Sequence, residues 1–152
     1  MAEMLITTNS PEETRALGEK LSAGLHAGDV VILEGELGAG KSELARGIAR
    51  GIGVTETVTS PSFTILNVYE SGRCPLYHFD WYRLESEEEL YELGMDEYLG
   101  GDGIAVVEWA ERCPDAEPEG CVRVRLDAAG AECRKIEISG LRCPEEAPEG
   151  GS

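Results

Sequence analysis

The chain has 152 residues, the length of one domain, with 41% apolar and 28% charged residues, an ordinary globular balance. Its net charge of −17 argues against autonomous binding to DNA, RNA or an anionic membrane, because each needs cationic surface. No apolar run approaches the ~20 residues of a bilayer span. The start, Met-Ala-Glu-Met-Leu-Ile-Thr-Thr, lacks the basic flank and apolar stretch of a secretory signal, so the expected location is the cytoplasm. The cysteines (Cys74, Cys113, Cys121, Cys133, Cys143) are odd in number and never spaced Cys-x-x-Cys, which reads as reduced thiols rather than a zinc site or disulfide framework.

Along the chain, Ser10-Pro11-Glu12-Glu13 predicts a helix start: a serine cap, a proline at the first helical position and a glutamate to complete a capping box. Leu17, Leu21 and Leu25 continue at helical spacing. Val30–Leu33 is a continuous apolar run, as in a strand covered on both faces. A glycine-rich loop follows, then a helix through Leu44, Ile48 and Ile52 that Gly53 stops. Thr64–Glu70 and Pro75–Phe79 read as an antiparallel pair around Ser71-Gly72. Ser86-Glu87-Glu88-Glu89 repeats the capping-box signature, and Ile104–Val107 is a second buried-strand run ending in Glu108. Val122–Leu126 and Lys135–Ile138 flank Ala128-Ala129-Gly130 as a hairpin. Residues 1–141 thus read as one domain and 142–152, rich in Pro, Glu and Gly, as a disordered tail. The expected fold is α/β: a P-loop NTPase-like three-layer sandwich with a mixed sheet and added antiparallel hairpins.

Gly35-Glu36-Leu37-Gly38-Ala39-Gly40-Lys41-Ser42 fits G-x-x-x-x-G-K-[ST], between an apolar strand and a helix. Glycines let successive amides turn inward on an anion, and the helix start adds its positive dipole end. Lys41 can reach the β- and γ-phosphates, and Ser42 can offer its hydroxyl to Mg²⁺. Such a site needs an acid near the metal, and Glu108 stands at the end of a buried strand, where Asp is commoner. Asp80, in His78-Phe79-Asp80-Trp81-Tyr82-Arg83-Leu84, follows another strand. The hydroxyl-rich Thr59-Ser60-Pro61-Ser62-Phe63-Thr64 reads either as a γ-phosphate-sensing switch or as a plain turn. His26 and His78 lack ligand spacing and read as structural.

No Asn/Thr-Lys-x-Asp base-reading motif supports guanine specificity, since the other lysines are only Lys20 and Lys135. A small-molecule P-loop kinase is the rival reading, but Arg46, Arg50, Arg73 and Arg83 are scattered where a basic lid would cluster them.

Four blocks together carry a resemblance over roughly residues 10 to 140: the glycine-rich loop, Thr59–Thr64, His78–Leu84 and Val107-Glu108-Trp109. In their order and spacing the chain resembles the TsaE family, the ATPase of bacterial tRNA threonylcarbamoyladenosine biosynthesis. Ser42 stands where Thr is commoner in that family, and Trp81 where Leu is frequent. The resemblance implies ATP binding with Mg²⁺, slow hydrolysis alone, and action with the TsaD and TsaB proteins, tRNA being reached only through that complex. It implies a nucleotide-binding set of Gly35, Gly38, Ala39, Gly40, Lys41, Ser42 and Glu43, with Arg134 and Thr14 near the adenine. Ser42 and Glu108 would hold the metal, and Lys41, Asp80 and Glu108 would serve catalysis. Ser60 and Thr64 would sense the γ-phosphate, and Trp109 would either couple the site to a partner or pack in the core.

Overall fold

The computed structural model describes residues 2–36, 40–59, 65–118 and 120–141. Seven strands form one sheet: β1 (Ala2–Thr8), β2 (Val30–Glu34), β3 (Leu66–Tyr69), β4 (Leu76–Asp80), β5 (Ile104–Glu108), β6 (Val122–Ala128) and β7 (Arg134–Leu141). Their spatial order is β1-β7-β6-β2-β5-β4-β3. The central run β6-β2-β5-β4 is parallel, while β3 and the β7-β1 pair add antiparallel edges. Helices α1 (Pro11–Ser22) and α2 (Lys41–Ile52) cover one face, and α3 (Glu87–Glu92) and α4 (Met95–Tyr98) lie on the other.

Strand alternation divides the core between those faces. Val31, Leu33, Ile104 and Val106 pack with Leu21, Leu44 and Ile48 of α1 and α2. Val30, Ile32, Phe79 and Val107 pack with Leu90 and Met95 on the opposite side. β2, β4 and β5 are therefore buried on both faces, as the continuous apolar runs of β2 and β5 predict.

α1 starts as its sequence reads: Pro11 occupies the first turn and the Ser10 hydroxyl accepts from the Glu13 amide at 3.1 Å. The Glu13 carboxylate, however, accepts from the amide of Asn9 at 2.7 Å, one residue before the cap. At α3 the Ser86 hydroxyl makes no capping bond, and Glu89 instead accepts from the Glu85 amide at 2.9 Å. α2 ends at Gly53, whose φ of 101° is left-handed.

α1 and α2 run side by side in the same direction, closer than side chains would allow. A Cβ on Gly47 would sit 2.0 Å from the Arg15 carbonyl oxygen, and one on Gly18 2.5 Å from that of Leu44. This seam aligns the first turns of the two helices, where Arg15 pairs with Glu43 at 2.9 Å. The edge strand β1 is an element the sequence reading passes over. The expected tail, 142–152, lies outside the described residues.

Candidate functional site

Parallel strands end on the same side of a sheet, and ligands bind α/β folds there. The glycine-rich loop leaves β2 at this end, and Gly40 enters α2 with φ 104°. A Cβ at Gly40 would meet only ordinary contacts, Leu126 Cδ2 at 3.5 Å and Arg134 Nε at 3.6 Å, so the glycine answers to backbone conformation rather than to crowding. α2 is entered from a glycine, which has no side chain with which to cap the first-turn amides. Lys41 opens this helix and is only 6% exposed, with Ser42 exposed beside it.

The two acids meet across the sheet. Asp80 and Glu108 are register partners at the ends of β4 and β5, each 5% exposed. By alternation from Phe79 and Val107 they face the α1–α2 side, the side of the loop helix. Asp80 Oδ1 accepts the Tyr82 amide at 2.9 Å, and the Glu108 carbonyl accepts the Trp81 amide at 3.0 Å. His78, set aside in the sequence reading as structural, places Nε2 2.7 Å from Glu108 Oε2. Only the fold brings those two residues together, so no local signal could have revealed the contact.

Two residues at this rim have left-handed backbones, Trp109 at φ 61° and Ile65 at φ 69°. For a β-branched or bulky residue such a conformation costs on the order of 1 kcal/mol. Both are tied to the acids: Trp109 follows Glu108, and the Ile65 carbonyl accepts the Asp80 amide at 2.8 Å. The Trp109 turn carries the indole to Lys41, whose Nζ lies 4.0 Å from the ring centroid. Tyr82 packs against the indole at 4.9 Å, and the Arg112 guanidinium lies 5.8 Å from the Tyr82 ring. Trp109 therefore touches the loop lysine on one side and a half-exposed tyrosine on the other.

The remaining expected residues divide. Arg134 opens β7 next to Gly40, at the same end of the sheet. Thr14 lies in the first turns of α1 with its hydroxyl 2.7 Å from that of Thr8, both buried. The Glu43 carboxylate turns to α1 and along α2, onto Arg15 and Arg46. Gly38, Ala39, Ser60 and Thr64 lie outside the described residues, while Gly35 stands at the loop entrance with φ 149°. The arginines weighed as a lid are not gathered into one. Arg73 donates to the Ser22 and Leu25 carbonyls at the end of α1, and Arg50 pairs with Glu19.

A buried β-strand, a glycine-rich loop, an uncapped lysine-bearing helix and paired strand-end acids define a P-loop α/β protein of the NTPase-like class. Comparison with known proteins narrows this. The family model for "Threonylcarbamoyl adenosine biosynthesis protein TsaE" matches residues 8–136, and the chain belongs to that family. A Bacillus subtilis protein named tRNA threonylcarbamoyladenosine biosynthesis protein TsaE is 41% identical over 141 residues, covering 93% of this chain and 88% of that protein. Proteins of the same name from Nostoc and Treponema pallidum are 43% and 39% identical, covering 87% and 90% of this chain and 83% and 100% of their own lengths. The crystal structure of YdiB from Bacillus subtilis superposes with a TM-score of 0.78 at 38% identity, over 90% of this chain and 84% of that one. Among the described residues, no helix is long and apolar enough to cross a membrane.

Proposed function

We propose that this protein is a Mg²⁺-dependent ATPase that acts with TsaB and TsaD in making threonylcarbamoyladenosine on tRNA. The observation that carries the reading is the convergence, at one end of the sheet, of the uncapped α2 N-terminus with Lys41 and the register-paired acids Asp80 and Glu108. The names of its relatives supply the pathway.

The residues fit the metal. The Ser42 hydroxyl and the Glu108 carboxylate are hard oxygen donors of the kind Mg²⁺ selects. When bound, the metal would neutralise charge on the β- and γ-phosphates.

The chain supplies the rest. The first amides of α2, together with its dipole, receive phosphate oxygens. Lys41 contributes a largely desolvated ammonium that can leave the indole for the γ-phosphate. Asp80 is the acid to orient a water for in-line attack. Arg15, Arg46, Arg50 and Arg123 are paired with carboxylates, and Arg73 with carbonyls. These five are committed to the chain's own structure rather than offered to a developing phosphoryl charge. Turnover without such a group runs ~10³–10⁵-fold slower, so slow hydrolysis alone and faster hydrolysis with partners is expected.

The test is reconstitution of the chain with TsaB, TsaD, tRNA and the activated threonylcarbamoyl donor, with ATP or a non-hydrolysable analogue. Sustained modification with ATP alone supports the reading. Equal modification with either nucleotide, or no calorimetric heat with Mg·ATP from a folded protein, overturns it.

A further inference from the structure

We infer that His78 is the positioning residue of Glu108: its imidazole holds Oε2, fixes the rotation of the carboxylate and leaves Oε1 as the oxygen for a divalent cation. The inference rests on the Mg²⁺-dependent reading above and extends it to a residue outside the phosphate-loop and strand-end set.

Three observations carry it. First, the register puts His78 opposite Val106, one pleat before the Asp80–Glu108 pair and on the same face of the sheet. Second, Nε2 and Oε2 are 2.7 Å apart between side chains that are 3% and 7% exposed. A carboxylate only accepts, so Nε2 carries the proton of this bond. Third, the other ring nitrogen, Nδ1, is buried with no hydrogen-bond partner among the described residues. Buried polar atoms in a packed core are ordinarily satisfied, whereas this ring directs its hydrogen bond to the acid.

The surroundings explain why an orienting group is needed. The Glu108 backbone is held by the β5 ladder and by the Trp81 amide on its carbonyl. Its side-chain torsions are the freedom that remains, and His78 removes it. Groups that orient a metal-binding side chain in this manner typically change metal affinity or activity by 10–100-fold when lost.

The experiment compares the wild type with His78→Leu, His78→Asn and His78→Gln. Each is titrated with a fluorescent ATP analogue in EDTA, then with Mg²⁺ at fixed nucleotide, alongside thermal melts. Gln can extend an amide to the position of Nε2; Asn falls short, and Leu has no donor. The expected result is similar metal-free nucleotide affinity in all four proteins. The Mg²⁺ concentration for half-maximal response should rise ~10–100-fold in Leu and Asn and return close to wild type in Gln. Wild-type Mg²⁺ response in a folded Leu variant overturns the inference, as does a Gln variant no better than Asn. If the Leu variant does not fold, the Asn–Gln comparison decides. A wild type that binds no nucleotide in either condition brings down the ATPase reading and this inference together. A wild type that binds nucleotide and Mg²⁺ normally, beside folded variants whose Mg²⁺ response is unchanged, brings down this inference alone.

Discussion

Two helices begin side by side in this protein, and they begin differently. The N-terminus of α1 is closed by its own chain, with the Ser10 hydroxyl on the Glu13 amide and the Glu13 carboxylate on the Asn9 amide. The N-terminus of α2, aligned with it across the glycine seam, has no side-chain cap and enters from a left-handed glycine. The same orphan amides exist at both ends. One set is met by the chain's own side chains, and the other is offered none by the glycine that precedes it. The adjoining acids follow the same division. Glu43 is neutralised by Arg15 and Arg46, whereas Glu108 and Asp80 are buried at the strand ends and bound to groups that aim them.

This contrast can be broken from either side. The largest effect is expected at the open end. Lys41→Ala should lower ATP turnover by more than ~10²-fold while melting close to wild type, because the lysine contacts the rim rather than the core. Glu108→Gln should follow, with Mg²⁺-dependent hydrolysis falling ~10–100-fold and the fold intact, since the amide oxygen can still accept from His78. Normal hydrolysis in that variant would remove Glu108 from the metal site. Asp80→Asn should retain nucleotide binding, measured by calorimetry, and lose turnover. A large fall in melting temperature instead would mark Asp80 as structural.

Between the two helix ends, Gly47→Ala tests the seam. Helix propensity favours alanine by about 1 kcal/mol, but the new methyl would lie 2.0 Å from the Arg15 carbonyl oxygen. A backbone atom cannot yield as a side-chain tip does, so a net loss of ~1–3 kcal/mol in urea unfolding is expected. At the closed end, Ser10→Ala should cost about 1 kcal/mol and leave nucleotide affinity unchanged. The smallest effect lies at the far end of the sheet, where the Tyr77 hydroxyl donates to Asp102 at 2.5 Å. That bond, then burial, push the phenol up to about 12. An unfolded tyrosine titrates near 10. The folded state therefore keeps its proton longer, and stability is full below pH ~10 and declines toward pH ~12. Tyr77→Phe should remove that component of the decline in unfolding curves taken across this window.

Much of this was legible in the sequence, for local reasons. The α1 cap, the buried runs of β2 and β5, the β3–β4 and β6–β7 pairs and the Gly53 stop each depend on neighbours within a few residues. The glycine-rich loop carries its lysine and hydroxyl in one contiguous stretch. β1 escaped notice because its seven residues have no turn signal before them, and their pairing partner, β7, lies more than a hundred residues away. Ser86 shows a local signature failing locally, with the cap position formed and its hydroxyl bond not made.

By itself, then, the chain determined the start of α1, the stop of α2, the buried runs of β2 and β5, and the contiguous G-x-x-x-x-G-K-S motif. Strand burial, helix capping and the glycine-rich motif are all written in short-range patterns. Only the tertiary structure decided that Asp80 and Glu108 are register partners, that His78 holds Glu108, that the Trp109 ring lies against Lys41, and that glycines set the distance between α1 and α2. Those relations join residues 28 to 68 positions apart, or two helices through their backbones. They are fixed by parallel register and close packing, which no local pattern encodes.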